Sequence, residues 1–112
     1  MAIFRVTVRG WFDHLTDDQR ARLVAELEAH DVVAMGAFTE TGTLTYERGL
    51  HTFTLRVQLR QEGDDARAVV LERALDVARG QLAGLGVEHR GLRATAVDMA
   101  DTWRRRPHRP TD

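Results

Sequence analysis

From His51 to Arg60 the sequence alternates without a slip. The odd positions His51, Phe53, Leu55, Val57 and Leu59 are mostly apolar, and the even positions Thr52, Thr54, Arg56, Gln58 and Arg60 are all polar. A period of two sends successive side chains to opposite faces of an extended chain, so this segment predicts a strand with one face in a core. Thr41 to Tyr46 repeats the alternation, and Arg48-Gly49 reads as a two-residue hairpin loop between the two runs. In that register Tyr46 opposes His51 and Leu44 opposes Phe53 on the core side. Thr45 opposes Thr52, Thr43 opposes Thr54 and Thr41 opposes Arg56 on the other side. Carried back, the same register places Glu40 inward opposite Val57, where an unpaired carboxylate is costly. Two outcomes fit: a bulge or break at Gly42 turns Glu40 out, or Glu40 points into a cavity as a general base or ligand-binding acid.

The flanking segments set the architecture. Residues 3–9 alternate Phe4, Val6 and Val8 against Arg5, Thr7 and Arg9, a second half-buried strand. Thr16 followed by Gln19 makes a capping box, and Leu23, Val24 and Leu27 form the stripe of a helix expected over about 16–30. A longer helix begins at Asp64 or Asp65 and carries Ala66, Val70, Ala74, Val77, Ala78, Leu82 and Leu85 at spacings of three and four. Gly84 and Gly86 stop it. Leu92, Ala94 and Ala96 then alternate with Arg93, Thr95 and Val97 in a last strand.

Strand, helix, strand, strand, helix, strand is the order of the α+β ferredoxin-like βαββαβ fold, a four-stranded antiparallel sheet with two helices on one face. That arrangement leaves the other sheet face open. The domain is expected over 1–103, with 104–112, which holds two prolines and no apolar residue, as a flexible basic tail.

Composition removes several function classes. Sixteen basic and 17 acidic residues give a formal charge of −1, and no RNP-like aromatic string occurs, so no nucleic-acid partner is expected. No apolar run reaches the length of a membrane span, so no membrane partner is expected and the chain reads as cytoplasmic. There is no serine and no cysteine, which excludes serine and thiolate nucleophiles, and no Gly-rich phosphate loop follows a strand. The five histidines sit at no metal-ligand spacing, so neither metal nor organic cofactor is expected.

What remains lies on the sheet. Arg5, Arg9, Arg56 and Arg93 rise among threonines on the open face, where arginines of neighbouring strands can clamp a carboxylate or phosphate. Trp11 shares their parity and offers an aromatic anchor, so these five residues are the candidate ligand-binding set. Tyr46 and His51, as cross-strand neighbours, form a donor and acceptor pair suited to proton transfer, and with Glu40 they are the candidate catalytic residues.

The segments "FRVTVRGWFDHLTDDQRARL", "GTLTYERGLHTFTLRVQL" and "RATAVDMADTW" together resemble an uncharacterised actinobacterial family of small stand-alone proteins, a domain of unknown function. That resemblance implies no activity, cofactor or catalytic residue. The architecture is also similar to dimeric α+β barrel proteins, which pair open sheet faces and include cofactor-free monooxygenases, cyclases and isomerases. It implies a homodimer, and with the arginine and tryptophan face it leaves two functional alternatives: a binding or interaction module for a small anionic or aromatic molecule, or a cofactor-independent enzyme of specialised metabolism.

Overall fold

The computed structural model describes residues 2–104. The elements are β1 (Ala2–Asp13), α1 (Asp17–Ala25), a 3-10 turn (Leu27–His30), α2 (Val32–Met35), β2 (Thr43–Tyr46), β3 (Thr52–Gln61), α3 (Ala66–Leu85), β4 (Glu88–Asp98) and α4 (Met99–Arg104). The strands form one antiparallel sheet in the order β2-β3-β1-β4. The basic tail expected from 104 falls, from residue 105 on, outside the described residues.

Period-two alternation translates directly into a one-sided core. Phe4, Val6, Val8 and Phe12 of β1, Leu44 and Tyr46 of β2, and Phe53, Leu55, Val57 and Leu59 of β3 are buried on one face. The predicted stripe of α3 covers them, with Ala66, Val70, Ala74, Ala78 and Leu82 buried and Val77 and Leu85 half-buried at its margin. Full burial of the valine, leucine and phenylalanine side chains is worth about 1.5–3 kcal/mol each, which makes this layer the main source of stability.

At α1 the capping box forms as expected: Gln19 N–H donates to Thr16 Oγ1 at 3.1 Å, and Thr16 N–H donates to Gln19 Oε1 at 2.8 Å. The helix is shorter than the sequence predicts. The Leu23 carbonyl, which a continuing α-helix would give to the Leu27 N–H, accepts instead from the Tyr46 hydroxyl at 2.6 Å and from the Glu26 N–H at 3.2 Å. The chain therefore tightens to a 3-10 turn over Leu27–His30. At α3, Asp65 holds the N-cap position without a side-chain cap bond, and Gly86 ends the helix in the left-handed region at φ +69°.

The hairpin register differs from the sequence expectation by two residues. Tyr46 pairs with Phe53, Thr45 with Thr54, Leu44 with Leu55 and Thr43 with Arg56. Arg48 and Gly49 do centre a turn, closed by Leu50 N–H donating to the Glu47 carbonyl at 2.9 Å. Leu50, at φ +56°, then folds into the core and is buried, which a two-residue loop would not allow. The loop lengthens, and Tyr46 and His51 are not paired.

Upstream, the chain breaks at Gly42, whose φ is +93°. Thr39, not Glu40, bridges Val57, and Thr39 Oγ1 accepts from the Gly42 N–H at 3.0 Å to hold the turn. Glu40 is exposed.

Candidate functional site

Register aligns the outward side chains of the sheet into rows. One row runs Thr45, Thr54, Arg9, Arg93, with Thr52, Trp11, Arg90 on one side of it. On the other side lie Thr43, Arg56, Thr7, Thr95 and then Gln58, Arg5, Val97. No carboxylate occupies any of these positions.

The arginines on this face differ in how they are held. Arg5 donates from Nε to Gln58 Oε1 at 3.1 Å and lies 5.4 Å from the Phe38 ring centroid. Arg56 donates from Nη1 to Thr45 Oγ1 at 3.1 Å, and Val32 of α2 lines the same hollow, so Thr45 is buried although it faces away from the core. Arg9 and Arg93 are directly opposed across β1 and β4, both exposed, and among the described residues neither makes an ion pair or side-chain hydrogen bond. Like charges directly opposite one another destabilise a sheet. These two line a depression of about 450 Å³ together with Thr7, Thr95, Trp11 and Gly91.

A bulge shapes the end of this depression. Arg9 pairs with Arg93 but Trp11 pairs with Arg90, so β4 contributes one extra residue opposite Gly10. Gly91 takes φ +67° there, and a Cβ at this position would come within 2.9 Å of Trp11 Cε3. Glycine thus provides both the left-handed backbone and the close approach of the indole. The bulge also turns Arg90 toward Trp11. Its guanidinium lies 5.7 Å from the Trp11 ring centroid and its Nε is 3.5 Å from Asp13 Oδ1. Trp11 stays 41% exposed, so it is held from the β4 side while part of its surface is accessible. The candidate set read from the sequence lacked Arg90. The signal for it was Gly91 within a strand pattern, the usual mark of a bulge that re-aims its neighbours.

The three candidate catalytic residues are not brought together. Tyr46 is buried in the core, while His51 and Glu40 are exposed in separate loops. Tyr46 stacks instead on His30, with ring centroids 4.8 Å apart, and meets Phe12 edge-on at 5.6 Å. His30 Nδ1 lies 2.7 Å from the Leu44 carbonyl oxygen; a carbonyl only accepts, so Nδ1 carries the proton. Burial, reinforced by the negative charge of Glu26, pushes the Tyr46 hydroxyl up to about 12. A phenol so held is a structural donor.

Among the described residues no group of three or more His, Cys, Asp or Glu is arranged to hold a metal ion. No helix among them is long and apolar enough to cross a membrane. No curated protein and no solved structure matches the chain. A family model does match, over residues 1–110, and the chain accordingly belongs to the Family of unknown function (DUF6204).

Proposed function

We propose that the chain is a ferredoxin-like binding module that holds a small anionic or aromatic molecule on its open sheet face. The observation that carries this reading is the opposed pair Arg9 and Arg93, two exposed guanidiniums on rigid strands with no acid among their neighbours. A bound oxyanion relieves their repulsion and accepts hydrogen bonds from both planar forks. Trp11 beside them supplies the aromatic contact.

In this reading the expected homodimer is anion-dependent. Two bare faces pressed together would oppose the arginines of one copy to those of the other, and charged residues are depleted in interface cores. An anion between the faces removes that obstacle.

Calorimetric titration with inorganic phosphate tests the binding claim. Arg9→Gln and Arg93→Gln should each weaken binding about tenfold or more, as expected for loss of a charge-assisted bond. Sedimentation at micromolar protein should show a greater mass with phosphate than without it. Binding unchanged by both substitutions refutes the site, and a dimer of equal strength without the anion refutes the coupling.

A further inference from the structure

The depression is graded along its length, and the grading specifies a ligand. At one end lie Trp11 and Gly91, in the middle Arg9 and Arg93, and at the other end the opposed threonines Thr7 and Thr95. Strand side chains stand roughly perpendicular to the sheet, so the guanidinium row and the indole row remain separated at their tips. Trp11 is two residues from Arg9, a rise of about 7 Å along the strand.

Trp11 is also positioned for stacking and not merely exposed. Its six-membered ring packs against the backbone of Gly91, and Arg90, tethered to Asp13, covers part of its surface from β4. Because Arg90 already has an acid partner, the anion belongs to Arg9 and Arg93, which have none among the described residues.

We propose that the ligand is an aromatic acid in which a short flexible linker separates ring from oxyanion, an arylalkanoate and not an aryl acid whose carboxylate sits directly on the ring. The ring lies against the accessible surface of Trp11, the oxyanion spans Arg9 and Arg93, and Thr7 and Thr95 flank a polar substituent beyond it. This assignment rests on the anion-binding reading above and adds the ring, the linker and their direction along β1.

The test is a titration of the full chain carrying Trp103→Phe, which leaves Trp11 as the single tryptophan fluorophore. The probes are 3-phenylpropionate, benzoate, cyclohexanepropionate and inorganic phosphate. 3-Phenylpropionate should bind about tenfold tighter than either benzoate or cyclohexanepropionate, since one lacks the linker and the other the ring. It should also perturb Trp11 emission. Arg93→Lys, which keeps the charge and loses the fork, should weaken 3-phenylpropionate while leaving the thermal midpoint unchanged. Equal affinity for benzoate and 3-phenylpropionate overturns the linker assignment and leaves the anion site standing. Equal affinity for 3-phenylpropionate and its cyclohexane analogue overturns the stacking role of Trp11. Failure of all four probes, phosphate included, overturns the anion-binding reading itself.

Discussion

Between about pH 9 and pH 12 the protein should lose about 2–3 kcal/mol of stability through one side chain. The chain has no lysine and no cysteine, so Tyr46, the only tyrosine, is the side chain whose ordinary value falls in this range. Its folded value is pushed up to about 12, from an unfolded value of 10.0, by burial first and by Glu26 second. The folded state therefore holds its proton where the unfolded chain releases it. The stabilisation is present in full below about pH 10 and is lost as the pH climbs toward 12. Denaturant melts across this window measure the loss, and tyrosinate absorbance reports the ionisation directly. Tyr46→Phe provides the control. It removes the bond to the Leu23 carbonyl and should cost about 1 kcal/mol at neutral pH, yet it should show no alkaline decline. The two stability curves should cross above pH 10. An equal alkaline decline in the phenylalanine variant would sink the assignment to Tyr46.

The same residue shows where the sequence is legible and where it is not. Face assignment survives an error in pairing, because a shift of two residues keeps every side chain on its own face. Tyr46, Leu44, Phe53 and Leu55 are all buried as the alternation predicts, although each has a different partner from the one expected. The register itself depended on Leu50, whose burial draws the loop inward and whose neighbour His51 gives its carbonyl to the Phe12 N–H at 3.0 Å. Both are long-range facts with no local signature. The early end of α1 is similar, since Leu23 loses its helical role to a hydroxyl 23 residues away. The ligand face was readable in its parts, with Arg9, Arg93 and Trp11 sharing one parity. Its geometry came from the bulge at Gly91, for which the sequence offers a marker but no measure of how far β4 slips. Gly42 offered the same kind of marker, and there it resolves the alternatives for Glu40: the chain turns and the carboxylate reaches water.

The largest single loss of stability is expected at the aromatic cluster beneath the ligand face. Phe53 is 1% exposed, packs 5.1 Å from the Phe12 ring and lies opposite Gly10. Phe53→Ala should cost about 3–5 kcal/mol, the transfer loss plus the cavity left behind. Gly10 is the complement of that ring. A Cβ there would come within 2.7 Å of Phe53 Cζ and 2.9 Å of Leu92 Cδ2, so Gly10→Ala should cost about 1–3 kcal/mol by overpacking. The backbone at residue 10 is not in the left-handed region, so the cost arises from the ring and not from φ. Combining the two changes separates these causes, because removal of the ring takes away the nearest atom that the new methyl meets, while Leu92 Cδ2 and the Arg90 carbonyl oxygen stay in place. The double variant should be more stable than the sum of the single losses predicts, by about 0.5–3 kcal/mol, the range seen for residues in direct contact. Strict additivity in denaturant melts would mean that Gly10 is required for a reason other than Phe53. A positive coupling identifies the missing side chain at residue 10 as what lets three aromatic rings close the core directly beneath Trp11 and Arg9.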